Sequence, residues 1–254
     1  MSSIYLPVFH SNAAFDAAEI LPRLLRMHIT AEAALAFCRA CRVRGIAGLF
    51  LDGVPEPLHR ELCRSGRAML SALGRMDEEQ KATASLFPFF DAIAACDFDC
   101  ARGIAQLSRA TWNQNEEYED DFLYVRVLMN HFFLGADPTE HDALVSRWET
   151  VIGRASDVRL DASRALWTRA APDFEYALVR MLAGEKARYG RLRRSDALAP
   201  EIAATEGHFS VEGVALVRLA RRLGLSTGSN YWGVPSIALK EFSPVFSGDT
   251  WQSL

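Results

Sequence analysis

The stretch EYEDDFLYVRVLMNHFFL, residues 117–134, decides the fold of this chain. Apolar side chains recur in it at the three- and four-residue spacing of one helix face: Tyr118, Phe122, Val125, Met129 and Phe132. Other apolar side chains cover much of the remaining cylinder: Leu123, Val127, Phe133 and Leu134. Because a helix that is apolar nearly all round is buried by its neighbours, we predict that this helix lies at the centre of the protein.

Helical patterns continue from this stretch in both directions along the chain. Alternating apolar and polar residues are scarce, so the sequence does not favour strands. Thr30, Asp77, Asp97, Asp137 and Ser210 are side chains of the kind that cap helix N-termini. Pro22 is expected to bend or break its helix, and Pro88 to interrupt the helix predicted at residues 77–95. We predict further helices at residues 13–28, 31–44, 55–73, 77–95, 97–110, 140–153, 157–168, 172–194, 211–223 and 237–242.

This number of helices indicates an all-α fold. Roughly ten helices joined by short connections form either a bundle or a stacked helical-hairpin array. We expect a single helical domain over residues 1–254, because no connection is long or biased enough to mark a boundary. A division into two lobes near Gly135 stays open.

The composition is that of an ordinary globular protein. Of the 254 residues, 50% are hydrophobic and 24% are charged, which excludes fibrous and wholly disordered classes. A chain of this length can bury a core without metals or disulfides. The formal net charge of −4 gives no basic footprint for nucleic acid, so we expect no direct nucleic-acid binding.

The sequence also predicts a cytoplasmic location. Its start lacks the basic segment and apolar run of a signal peptide, and no stretch approaches the length of a membrane span. The cysteines are odd in number, which favours reduced thiols: Cys38, Cys41, Cys63, Cys96 and Cys100. Their spacings match no recognised zinc pattern, so we expect small apolar core residues.

Five acids crowd the start of the central helix: Glu116, Glu117, Glu119, Asp120 and Asp121. One or two acids complement the positive end of a helix dipole, but five repel one another. The excess therefore requires a partner, which could be an internal arginine, a metal or a basic surface of another protein. Helical metal sites also use Glu-x-x-His pairs from other helices, and we identify no such pair in this sequence. Metal is therefore the weakest of the three, and we expect none.

Arg126 and His131 have the R-x4-H spacing of a short catalytic signature. The spacing resembles that of the HEPN-type all-helical ribonucleases, although Val127 stands where a polar residue usually follows the arginine. An all-α ribonuclease that uses Arg126 and His131 is therefore the alternative enzymatic hypothesis. A helical-repeat scaffold for some other partner is the third hypothesis.

Three stretches in series resemble the immunity protein 49 family of bacterial polymorphic-toxin systems. The first is Trp112 followed by EYEDDFLY at residues 117–124, and the second is VEGVALVRLA at residues 211–220. The third runs from Tyr231 to the PSIA of residues 235–238. Together they cover about the C-terminal three fifths of the chain. Glu212, in the second stretch, is a candidate internal partner for an arginine.

The resemblance implies a helical cytosolic protein without catalytic residues or cofactor. Such a protein neutralises a cognate toxin, delivered by a neighbouring cell through a secretion system, by direct binding. The toxin gene is expected next to its own gene, and the oligomeric state stays open. An acidic patch would steer a basic toxin, and aromatics flanked by charge are common anchors. The predicted toxin-binding residues are therefore Trp112, Glu116, Glu117, Tyr118, Glu119, Asp120 and Asp121.

Overall fold

The protein is all-α, as the sequence predicts. The computed structural model describes residues 4–26, 29–135, 137–243, 246 and 248–254. Within these residues it is 70% helical, with eleven α-helices and no strand. No helix in this part of the chain combines the length and the hydropathy needed to cross a bilayer.

The helices follow one another with short connections. The first six are α1 (Leu6–Leu24), α2 (Ala31–Asp52), α3 (Glu56–Leu73), α4 (Phe87–Ala94), α5 (Phe98–Leu107) and α6 (Glu119–Met129). The remaining five are α7 (Pro138–Ile152), α8 (Val158–Trp167), α9 (Ala171–Arg194), α10 (Pro200–Ala204) and α11 (Val211–Arg222). Short 3₁₀ turns lie at Glu78–Gln80, Thr83–Ser85, Ser236–Leu239 and Thr250–Gln252, and a π-helical turn at Asn130–Leu134 extends α6.

Four of the predicted helix caps are confirmed, but Asp77 precedes a 3₁₀ turn and its side chain makes no capping hydrogen bond. The side chains of Thr30, Asp97, Asp137 and Ser210 each accept a hydrogen bond from a backbone N–H two or three residues further on. Each cap thereby satisfies one of the free N–H groups in the first turn of its helix. The starts of α2, α5, α7 and α11 are thus set by local sequence.

Other boundaries differ from the prediction. Helix α1 starts at Leu6 rather than residue 13 and has Pro22 in its last turn, while the predicted end at residues 27 and 28 lies outside the described residues. The predicted helix 77–95 is wrong in its first half, where two 3₁₀ turns precede α4. Pro88 starts α4 instead of interrupting a longer helix, because a proline in the first turn loses no hydrogen bond. Helix α10 was not predicted.

Many consecutive helices pack on one another, and some contacts join helices that are distant in sequence. Helix α2 lies between α1 and α3, and α4 packs on both α3 and α11. Helix α6 contacts α7, α8 and the 3₁₀ turn Thr83–Ser85, while α8 packs on α9. Helix α1 contacts α2 and α10, which places it at the edge of the molecule.

The prediction of a central helix at residues 117–134 is confirmed for most of its length. Every residue of α6 from Phe122 to Met129 is buried. Tyr124 packs between the rings of Phe90 and Trp148, with ring centroids 5.9 and 5.8 Å away. Helix α6 therefore joins α4 to α7 through aromatic contacts, while its acidic first turn stays at the surface.

Candidate functional site

The candidate site is the loop before α6 together with the first turn of that helix. The backbone carbonyl of Asn113 accepts hydrogen bonds from the N–H groups of Glu116 and Glu117 at 3.0 and 3.1 Å. The indole N–H of Trp112 donates to the carbonyl of Glu117 at 3.0 Å. These bonds fold residues 112–117 into a compact turn, so the acids and aromatics of the sequence motif are held in fixed positions.

The Glu117 carboxylate points into the protein rather than outward. It accepts hydrogen bonds from the backbone N–H groups of Ala84 and Asn113, at 2.6 and 3.2 Å. Burial raises the pKa of Glu117, and the two backbone hydrogen bonds oppose that rise. This side chain links the 3₁₀ turn Thr83–Ser85 to the loop before α6, which is a structural role.

Glu119 forms a bidentate ion pair with Arg147 of α7. The distances from Oε1 to Nε and from Oε2 to Nη2 are 2.6 and 2.9 Å. The planar guanidinium matches the two carboxylate oxygens, which gives the pair a defined geometry. It ties the first turn of α6 to the middle of α7 at the surface.

Asp120 and Asp121 both bind Arg159 of α8. Nη2 of the arginine lies 3.0 Å from Asp120 and Nη1 lies 2.5 Å from Asp121, while Asp157 contributes a third carboxylate at 3.0 Å. The guanidinium also sits over the ring of Tyr124, 5.3 Å from its centroid. Burial by itself lowers the pKa of Arg159, but the hydrogen bonds to Asp157 and Asp121 outweigh it and raise that pKa.

Four of the five crowded acids thus have internal partners, and Glu116 is the exception among the described residues. Of the three partners considered from the sequence, arginine is the one that the structure places there, at Arg147 and Arg159. Within the described ranges, no group of three or more His, Cys, Asp and Glu side chains is arranged to hold a metal ion. The sequence does contain one Glu-x-x-His pair, contrary to our interpretation: Glu56 and His59, in the first turn of α3. His59 is buried there, with Nε2 3.1 Å from the carbonyl oxygen of Ala238.

Three of the seven predicted site residues face solvent: Trp112, Glu116 and Tyr118. Tyr118 is 79% exposed and Trp112 is 37% exposed. Glu116 is exposed, and no hydrogen bond or ion pair engages its side chain among the described residues. The structure therefore divides the motif into acids that hold the fold and a smaller outward surface of two aromatics and one carboxylate.

Arg126 and His131 have separate surroundings. Arg126 is buried within α6, and burial lowers its pKa against the opposing charge of Glu140. His131 lies in the π-helical turn, exposed, with its ring 4.7 Å from that of His141. Among the described residues no hydrogen bond joins Arg126 to His131, so the contacts of these two side chains do not support a catalytic pair.

A buried charged network was missed by the sequence interpretation. Arg42 of α2 binds Asp91 of α4 at 2.5 Å and Glu206 at 3.2 Å, and the Ser65 hydroxyl donates to Asp91 at 2.5 Å. The signal for this network in the sequence is Asp91, a charged residue within the apolar run FPFFDAIA of α4.

The expectation that Glu212 pairs with an arginine is corrected by the structure. The Tyr124 hydroxyl donates a hydrogen bond to the Glu212 carboxylate at 2.5 Å.

The cysteines fit the expectation of reduced core thiols. All five are free, four of them are buried, and Cys96 is partly exposed. Burial raises the pKa of Cys38 and of Cys63 to about 12. Thiols with such pKa values stay protonated near neutral pH, so they are poor nucleophiles and poor metal ligands.

The fold and this surface define a helical protein with an acid-rich, aromatic-bearing patch. A model of the family described as immunity protein 49 matches residues 51–235, and the chain belongs to that family. The resemblance of the three sequence motifs is thereby confirmed, and the match begins further toward the N-terminus than those motifs do. The searches of the curated proteins and of the solved structures found no match.

Proposed function

We propose that this protein is an immunity protein that neutralises a cognate antibacterial toxin by direct binding. Membership of the immunity protein 49 family is the observation that carries the proposal. The toxin is delivered by a neighbouring cell through a secretion system and is encoded by the adjacent gene. The immunity protein acts in the cytoplasm as a binder, without catalytic residues, metal or cofactor, and contacts neither nucleic acid nor membrane.

The proposed contact surface is the outward part of the α6 motif. Tyr118 projects into solvent at the start of α6, beside Trp112 and the unpaired Glu116. Large aromatics supply contact area at a low cost in side-chain entropy, and such residues dominate binding energy at protein interfaces. Glu119, Asp120 and Asp121 lie next to them and add negative potential at the rim, although arginines neutralise part of it.

A toxin that binds here carries a basic surface. Complementary charge speeds diffusional encounter and excludes partners of the wrong sign. Toxins that act on nucleic acids or nucleotides carry such basic active-site surfaces, so occlusion of that site is the simplest mode of inhibition.

The function is tested by co-expression with the protein encoded immediately upstream. We expect that protein to stop growth when expressed alone, and to be silenced and co-purified when this chain is present. If the upstream protein is harmless, or stops growth regardless, the proposal fails. The R126A/H131A variant should protect as well as the wild type, whereas loss of RNA cleavage in that variant would favour the ribonuclease alternative.

The contact surface is tested by a matched pair of tyrosine variants. Tyr118 is 79% exposed within the proposed contact surface. Tyr176 on α9 is 67% exposed and lies outside that surface, so it serves as the control. Tyr118→Ala should weaken toxin binding by at least about 10-fold, whereas Tyr176→Ala should change it by less than about 3-fold. Equal effects of the two substitutions would remove the α6 surface from the interface and leave the function itself standing.

A further inference from the structure

A groove lies along α1, where that helix meets α2 and α10. Its volume is about 520 Å³. Apolar side chains line it, including Phe9 and Ile20 of α1 and Ile202 of α10. Phe15 also lines the groove and is 68% exposed, so its ring is available at the rim.

Helix α1 also has apolar side chains on its solvent-exposed side. Its buried residues, Leu6, Ala13, Ala17 and Leu24, lie on one side at helical spacing and pack toward α2. On the opposite side, Val8 and Phe15 are 50% and 68% exposed, and of these two Phe15 also lines the groove. A helix with apolar faces on both sides is typical of an element that packs on its own protein with one face and on a partner with the other.

Unpaired acids surround this groove. Asp16 and Glu19 of α1 are exposed and Glu201 of α10 is partly exposed, and no ion pair engages these three among the described residues. Arg39 is the cation among the described lining residues, and its guanidinium already lies 3.7 Å from Glu206. The groove therefore combines apolar surface with an excess of negative charge.

A second depression lies between this groove and the α6 surface. Its volume is about 490 Å³, and it shares Ala36 and Arg39 with the groove and reaches Glu116 at its far side. Glu32, exposed at the start of α2, lines this second depression. The two depressions thus extend from α1 across α2 to the loop before α6. Arg39 and Lys81 balance Glu32 and Glu116 in the second one, so the excess of negative charge belongs to the α1 groove.

We propose that the α1 groove docks a basic, apolar-bearing segment of the cognate toxin and extends the α6 contact surface into one interface. This proposal rests on the proposed function. Charge complementarity selects the occupant, since Asp16, Glu19 and Glu201 attract lysine and arginine while the groove accepts an apolar side chain. A second copy of this chain in a two-fold dimer would place the same carboxylates against each other, which is unfavourable.

The position of α1 in the sequence supports a partner-specific role. The family match spans residues 51–235, so α1 and most of α2 lie outside the shared pattern. A protein that must bind one toxin and not its relatives needs contacts that are its own. The α1 groove supplies such contacts, whereas the α6 motif belongs to the family span.

The apolar face is tested with two matched double variants of the full chain. V8D/F15D places charges on the α1 face, and Y176D/V179D does the same on α9, where the wild-type side chains are 67% and 53% exposed. The probe is an inactivated form of the toxin domain encoded upstream, and binding is measured by calorimetry. We expect V8D/F15D to weaken the Kd at least about 30-fold and Y176D/V179D less than about 3-fold. Circular dichroism melting checks that both variants fold.

The charges of the groove are tested separately. D16K/E19K should slow association with the same toxin domain about 10-fold or more and flatten its dependence on salt, with a smaller change in the dissociation rate. A variant with unchanged association kinetics would contradict the charge argument.

Three further outcomes overturn the proposal in distinguishable ways. If the wild type does not bind the toxin domain, the proposed function fails and this inference fails with it. If the wild type binds and V8D/F15D binds equally well, the function stands and the α1 groove is not part of the interface. If light scattering shows a dimer that V8D/F15D dissociates, the occupant is a second copy of the chain instead.

Discussion

The first turn of α6 and the exposed face of α1 carry similar side chains in different situations. Both present acids and aromatics to the surface. In α6, Glu119, Asp120 and Asp121 bind arginines of α7 and α8, so most of the charge is neutralised within the molecule. In α1, Asp16 and Glu19 have no such arginine among the described residues.

The difference shows that the density of acids along a sequence does not measure the charge available to a partner. The five acids within six residues mark a place where elements are joined, because four of them bind an arginine or a backbone N–H group and, among the described residues, only Glu116 does not. Two isolated acids on an edge helix leave more unpaired charge. Free charge at a surface is governed by what packs against the helix, and an edge helix has fewer neighbours.

The largest effect on stability is expected from the removal of Arg159. Arg159→Ala leaves Asp120, Asp121 and Asp157 close together without their shared cation, and it removes the guanidinium from the ring of Tyr124. We expect the free energy of unfolding to fall by about 2–3 kcal/mol, because breaking a partly buried ion network leaves uncompensated charge. Urea denaturation measures it.

Arg147→Ala is the matched control for that variant. Arg147 binds Glu119 at the surface, with its own side chain 55% exposed. Its removal should shift the denaturation midpoint much less than Arg159→Ala does. Equal shifts for the two variants would mean that the Arg159 network is no more than a set of surface pairs.

The helices were predictable because their signals are local. Periodicity and the caps Thr30, Asp97 and Ser210 lie within a few residues of the helices that they define. The end of α2 was missed because the prediction stopped near Gly45, where the helix in fact continues to Asp52. Gly45 and Gly48 let α3 approach, since an added Cβ would lie 3.0 Å from Glu61 and 2.8 Å from Pro57. These glycines serve packing between helices, which a single sequence does not reveal.

The candidate site was predictable only in part. The density of acids indicated that a partner was required, but Arg147 and Arg159 lie 28 and 38 residues away from Glu119 and Asp121. Pairing over such distances depends on how α7 and α8 fold back onto α6. The outward direction of Tyr118 and the inward direction of Glu117 depend on the same packing, so the motif alone did not separate the two roles.

An intermediate effect is expected at Glu185, a largely buried acid of α9 near Glu212. Burial raises its pKa from 4.5 to about 7, a hydrogen bond with Ser210 opposes the rise, and the charge of Glu212 adds to it. The folded state therefore holds a proton that the unfolded chain releases, and this contribution to stability is lost as pH rises from about 4.5 to 7. Glu185→Gln should stabilise the protein by about 1–2 kcal/mol at pH 8 and have little effect at pH 4.5.

Urea denaturation of Glu185→Gln and the wild type at both pH values measures this difference. The change in stability has the opposite sign to that for Arg159→Ala. Glu185→Gln removes a largely buried negative charge, whereas Arg159→Ala removes a cation that serves three acids. A variant that is destabilised at pH 8 would show that the Glu185 carboxylate is held in its charged form.

The smallest effect on stability is expected from variants that compare the acids of α6 directly with those of α1. D120N/D121N neutralises two acids of α6, and D16N/E19Q neutralises two acids of α1 with the same loss of charge. We expect D120N/D121N to lower the free energy of unfolding by about 1 kcal/mol, since two partly exposed contacts to Arg159 are weakened. D16N/E19Q should leave the denaturation midpoint unchanged, because these side chains stabilise nothing inside the molecule, and yet it should slow capture of the toxin. If D16N/E19Q destabilises the protein as much as D120N/D121N does, the acids of α1 serve the fold and the contrast between the two regions is lost.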